Sequence, residues 1–183
     1  MRTSGNLLLV LSIVLAISCK PHKDGPGAYD PRLERPYCND PSAVNYNWDF
    51  PGTPDSTVCY FPADRLSGRY MLMDSVFFPD NSLDSENIRT VYFNLYALSK
   101  SGVGMVGFCN DTDTLKFTSD RYLRALADTL FTAGQFFCST ADTFTGYMQP
   151  PMNDPGSLYI DFTVITDSAS GGLKYHRGTA IKQ

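Results

Sequence analysis

Cys19, Cys38, Cys59, Cys109 and Cys138, with His22 and His176, are the side chains of this sequence best suited to chemistry. A nucleophilic site needs a base within reach of its nucleophile, and that base is most often histidine. His22 lies among Pro, Gly and charged residues and reads as a solvated position. His176 is flanked by Tyr175 and Arg177; strand alternation sets it beside Lys174 and Gly178, on what is expected to be a solvent face. Carboxylate pairs are available from Asp74, Asp128 and Asp161, but their spacing selects none of them. No C-x-x-C, H-E-x-x-H or Gly-rich phosphate loop occurs. The expectation is a protein that is not an enzyme, with no catalytic residue, no metal ligands and no cofactor.

Cys19 has a different context. Arg2 and the amino terminus form a short positive head, and residues 7–17 are an apolar run closed by Ser18. A membrane-spanning helix needs about 20 apolar residues, whereas a secretory signal core needs roughly 7–15. Leu15-Ala16-Ile17-Ser18-Cys19 resembles a bacterial lipobox, with Ala16 where leucine is commonest. The resemblance implies removal of residues 1–18 and acylation of Cys19 with palmitate-type chains. The alternative is an ordinary cleaved signal that leaves Cys19 as a stray thiol. Residues 19–36, with Pro21, Pro26, Pro31 and Pro36 among Gly and charge, read as an extended tether.

The first folded piece spans residues 37–62. Cys38, Asp40-Pro41, Ala43, Asn45-Tyr46-Asn47 and Cys59-Tyr60 resemble a small cysteine-bounded unit of exported and surface proteins of Bacteroidetes-type bacteria. Residues 54–58 replace that family's acidic-Gly-Ser turn. Asn39, Asp40, Asn45, Asn47, Asp49 and Asp55 lack EF-hand spacing and suit turn chemistry better than calcium. With Cys19 acylated, four cysteines remain, which allows three connectivities. Cys38–Cys59 is preferred because both bound one small unit; Cys109–Cys138 is then left, each following a strand end near one rim. Buried reduced thiols are the alternative.

Removing residues 1–18 takes away only Arg2, so the formal charge moves from −4 to −5 (−4 − 1). No basic patch is present, which argues against nucleic acid. Tyr and Phe are plentiful at 11 and 12, a β-prone composition. From residue 66 strand signals recur: 70–78, 90–98, 103–109, 114–118, 143–149, 158–164 and 173–181. Leu158, Ile160, Phe162 and Val164 give the clearest alternation. Residues 121–128 read either as two helical turns or, preferably, as a strand turning at 128–129 into 130–136; Ser170-Gly171-Gly172 reads as a hairpin turn. The fold expected is all-β, an antiparallel meander of about eight strands forming a small barrel or sandwich, after a disulfide-stapled unit.

Leu66-Ser67-Gly68-Arg69-Tyr70, Phe144-Thr145-Gly146-Tyr147, residues 160–164 and Gly178-Thr179-Ala180-Ile181-Lys182 resemble small lipocalin-like lipoproteins of the same bacteria. That resemblance implies an eight-stranded barrel, filled by side chains or holding one small ligand. The expected setting is the bacterial envelope, lipid-anchored, at the outer membrane. Two functions stand open: a structural or interaction module with an envelope protein partner, which is preferred because no polar residues visibly converge, or a carrier of a small apolar or amphipathic ligand.

Overall fold

A computed structural model describes residues 29–109, 112–129, 134–166 and 172–183. The chain divides into two units, Met1–Pro31 and Arg32–Gln183. The sheet, the helix and both disulfides described below belong to the second.

That unit opens with two short parallel strands, β1 (Pro36–Tyr37) and β2 (Thr53–Pro54). Ala43 is fully buried, and Asn45 acts as a side-chain rung: its Nδ2 donates to the Val58 carbonyl at 2.8 Å and its Oδ1 accepts the Tyr60 amide at 3.1 Å. Asp40 accepts the Ser42 amide, and Asp55 caps the 3-10 turn Ser56–Val58 through the Thr57 amide. The Asx positions of this segment thus hold its turns. Cys38 and Cys59 are bridged, with Cα atoms 4.9 Å apart. The next element, α1 (Pro62–Leu66), is a single helical turn with Pro at its start.

Nine further strands follow: β3 (Gly68–Phe77), β4 (Arg89–Ala97), β5 (Gly102–Val106), β6 (Thr114–Ser119), β7 (Ala125–Ala127), β8 (Gln135–Phe136), β9 (Thr143–Gln149), β10 (Ser157–Ile165) and β11 (Leu173–Lys182). All pair antiparallel with their neighbours, and β11 returns to β3 while β10 pairs with β9. The result is a closed up-and-down barrel, in which β7 and β8 share one strand position: both lie along the same edge of β9. Closure leaves the long strands without free edges.

Period-2 alternation fills the interior. Phe93, Phe117, Phe144 and Phe162 meet there with Phe108, and Leu72, Met105, Met148, Leu158 and Ile160 complete the packing. Each such side chain contributes about 1.5–3 kcal/mol by leaving water. One end of the barrel is stoppered by α1: Ala63 and Leu66 are buried, and the Tyr70 hydroxyl donates to the Leu66 carbonyl at 2.9 Å. The Lys100 ammonium, in the β4–β5 turn, joins this end to the small unit by a 2.7 Å ion pair with Asp40.

The segment at 121–128 departs from expectation. Only Ala125–Ala127 is strand; Asp120 Oδ1 takes the amides of Tyr122 and Arg124, and Leu123 sits at φ 67°. Among the described residues β7 and β8 pair with β9 and not with each other. Residues 130–133 of the expected second strand, and the expected turn residues Ser170 and Gly171, lie outside the described residues. α1, β1 and β2 were not expected from the sequence.

Candidate functional site: the open mouth of the barrel

At the end opposite α1 the inward-facing residues change character. Along β3 the inward series runs Leu72, Asp74, Val76, and along β11 it runs Ala180, Gly178, His176, Lys174. His176 stands directly across from Phe162 on β10 and Val76 on β3, both buried, so it faces inward with them. The solvent face expected for His176 is therefore corrected. Its side chain is 12% exposed, and it shares the inward face with Ala180, four residues on. A Cβ at Gly178 would press on the Met73 carbonyl oxygen and a Leu72 methyl group, so glycine lets β11 lie this close to β3.

Asp74 is fully buried and is the centre of the site. Its two oxygens lie 3.2 and 2.9 Å from His176 Nδ1, and Arg89 Nε donates to Oδ2 at 3.3 Å. The carboxylate selects the tautomer that carries a proton on Nδ1. The Arg89 side chain is about half exposed, so this guanidinium stands between the buried carboxylate and water. The imidazole is wedged between rings, its centroid 5.4 Å from Phe137 and 6.4 Å from Phe108. The Arg89 guanidinium lies over Phe108, 5.4 Å from its centroid. Ring contacts and the buried carboxylate thus fix both the imidazole and the guanidinium.

A second pair stands at the rim. Lys174 Nζ donates to Asp84 Oδ2 at 2.7 Å, and Asn87 Nδ2 donates to the same oxygen at 2.7 Å. The Lys174 contact first, and the Asn87 hydrogen bond second, hold the Asp84 carboxyl below its ordinary range. Above these pairs opens a cavity of about 340 Å³. Val76, Ile88, Phe137 and Val164 form its apolar wall; Arg89, His176, Lys174, Glu86, Asn87 and Asp142 give it polar groups of both signs. Its remaining hydroxyl is committed, because Thr166 Oγ1 donates to the Gly172 carbonyl at 2.8 Å. Cys138, also at the rim, is bridged to Cys109 with Cα atoms 5.1 Å apart. The arrangement can orient an imidazole, present donors and shield an apolar group. Among the described residues lining it, the Thr166 hydroxyl donates to a carbonyl and the Cys138 sulfur is bridged.

Beside the mouth, β6 and β8 diverge around a cavity of about 380 Å³. The buried Gln135 side chain spans the gap: its Nε2 donates to the Lys116 carbonyl at 2.6 Å and its Oε1 accepts the Lys116 amide at 3.0 Å.

Of the sequence candidates, Cys19 and His22 lie outside the described residues. Cys38–Cys59 and Cys109–Cys138 are disulfides, the second at one rim as expected. Asp74 and His176 come together; Asp128 instead accepts the Thr118 hydroxyl at 2.6 Å, and Asp161 pairs with Arg177 at 3.4 Å on the outer face. Arg89, Lys174, Asp84 and Phe137 were missed. The available signal was register: Asp74 falls in phase with Leu72 and Val76, and His176 in phase with Ala180. No family model, curated protein or solved structure matches the chain.

Proposed function

We propose that this protein is an exported, lipid-anchored, non-catalytic binding module of the bacterial envelope, lipocalin-like in architecture, that takes a small amphipathic ligand in the mouth of its barrel. The observation that carries this reading is the buried Asp74, which holds His176 and Arg89 at the floor of an open cavity with an apolar wall. Ligand pockets combine such walls with a few convergent polar groups. The barrel core is filled by phenylalanines, so the ligand sits above them, its apolar part on Phe137, Ile88 and Val164. Arg89 offers only donors, so the ligand head is a hydrogen-bond acceptor, of carboxylate or phosphate type. The sequence alone favours a structural module because no polar residues visibly converge in it; the mouth, where Asp74, His176, Arg89, Lys174 and Asp84 are among those that meet, favours binding.

An anionic amphipathic dye, anilinonaphthalene sulfonate, tests the site. Saturable binding to the folded protein that weakens at least about tenfold in Arg89→Met supports it, the loss of one charge-assisted bond in a partly buried site. Equal binding by both proteins contradicts it. Intact mass of the membrane-extracted protein tests the anchor separately: loss of residues 1–18 with acyl chains on Cys19 is the expected result.

A further inference from the structure

Trp48 is the only tryptophan of the chain, and it is 56% exposed. It stands at the stoppered end of the barrel, away from the mouth. Three tips meet there: Tyr46 and Trp48 of the small unit, Tyr122 and Leu123 between β6 and β7, and Met152 between β9 and β10. They surround an open cleft of about 530 Å³. Tyr122 is 73% exposed and Met152 is 99% exposed.

These side chains are held out rather than left out. Asp120 pins the Tyr122 turn through the two amides described above, and the Trp48 ring is braced edge-on against Tyr60 at 5.9 Å. Apolar surface kept in water forgoes about 25 cal/mol per Å², so a contiguous patch of large side chains marks a contact surface. Arg121 is the cation among them. Its guanidinium lies 5.5 Å from the Tyr46 ring and 4.9 Å from the Tyr122 ring, and donates to the Tyr122 hydroxyl at 2.9 Å.

We infer that this end is a membrane-contact surface, on which Trp48, Tyr122 and Met152 enter the boundary between headgroups and acyl chains of a phospholipid bilayer. Trp and Tyr favour that boundary, since each has an apolar body and a polar tip. Apolar tips beside a cation make an interfacial binder, and Arg121 is placed to meet lipid phosphate. A sugar would need acceptors for its hydroxyls, yet among the described residues the cleft is lined by no Asp, Glu, Asn or Gln. The chain itself favours this face. It enters the compact unit at Arg32 and is tied at once to the small unit that carries Trp48, through Thr53 Oγ1 to the Leu33 carbonyl at 3.3 Å and through β1 to β2. Residues 19–31 reach at most about 45 Å when fully extended. Where the anchor reading proposed above holds, that length limits how far the small unit and its Trp48 can stand from the lipid.

The test uses the chain from Lys20 to Gln183, which contains the whole compact unit and no lipid, so its outcome does not depend on acylation of Cys19. Vesicles of phosphatidylethanolamine and phosphatidylglycerol are titrated into the protein while the emission of Trp48 is followed. A blue shift, quenching by brominated acyl chains and co-sedimentation with vesicles are expected. The double variant Tyr122→Asp, Met152→Asp should lower the partition coefficient at least about tenfold, with an unchanged thermal melt because both side chains are exposed. Absence of any vesicle-dependent change in Trp48 emission overturns the inference. So does a change produced by soluble oligosaccharides and not by vesicles, which would make the cleft a sugar site.

Discussion

Asp74 is the residue on which the mouth depends. It is fully buried and serves two partners, the His176 imidazole and the half-exposed Arg89 guanidinium. Asp74→Asn keeps an acceptor for His176 but removes the charge that Arg89 faces. The expected cost is about 1–3 kcal/mol, below that of a fully buried pair because Arg89 can turn to water. Chemical denaturation measures it; an unchanged midpoint would mean that the pairing is not formed. At the other end, Asp40 shows how pH enters. The hydrogen bond from Lys100 first, and those from Ser42 next, lower its pKa from 3.8 to about 2. A folded-state pKa below the unfolded value gives stability that is complete above the unfolded value and lost as pH falls through the folded one. Asp40→Asn should therefore show a smaller loss of stability between about pH 4 and pH 2 than the parent protein, as read by acid melts. Neither role was legible in the sequence. Asp74 looks like any strand carboxylate until its register with Leu72 is fixed, and the lone charge in an apolar run is ambiguous between a face flip and a buried pair.

At the scale of elements, the long strands were legible and the broken one was not. Residues 158–164 alternate cleanly because β10 has one face in the core and one in water, and their reading survives intact. β7 and β8 fail that test because each is too short to show a period. What ends β7 early on its upstream side is side-chain to backbone bonding by Asp120, a local effect that hydrophobic pattern does not register. The gap this break leaves beside β6 is closed by Gln135, which stands in for two ladder hydrogen bonds. Gln135→Ala should cost about 1–3 kcal/mol, chiefly because it leaves the Lys116 amide without this partner, while the Lys116 carbonyl keeps the Asp128 amide at 2.9 Å. Hydrogen exchange gives the sharper readout: the Lys116 amide should lose protection while the Val103 and Met105 amides of β5 keep theirs. Equal loss across the sheet would show that Gln135 acts on global stability and not on this gap. The disulfide pairing was legible for a different reason, since Cys38 and Cys59 bound one segment and strand ends bring Cys109 to Cys138.

At the largest scale, the unit Arg32–Gln183 is a barrel with unlike ends. One is stoppered by α1 and carries the small unit; the other opens over Asp74, His176 and Arg89. Closure and core packing fix the register of the strands that carry the mouth, and a supporting shell of that kind is what holds polar groups at set distances. The sequence made the all-β meander and its stapled appendage legible through composition and alternation. It did not make the mouth legible, because the groups that form it come from β3, β4, β10, β11 and the loops after β3, β8 and β10, and closure of the barrel assembles them. The central claim is that this mouth holds a small ligand. Native mass spectrometry of the mature protein, extracted in mild detergent, tests it most directly. The account predicts a retained small molecule with an acidic head, present on the parent protein and absent from Arg89→Met purified in the same way. A ligand-free parent under conditions that preserve its fold, or a ligand retained equally by the Arg89→Met variant, would contradict it.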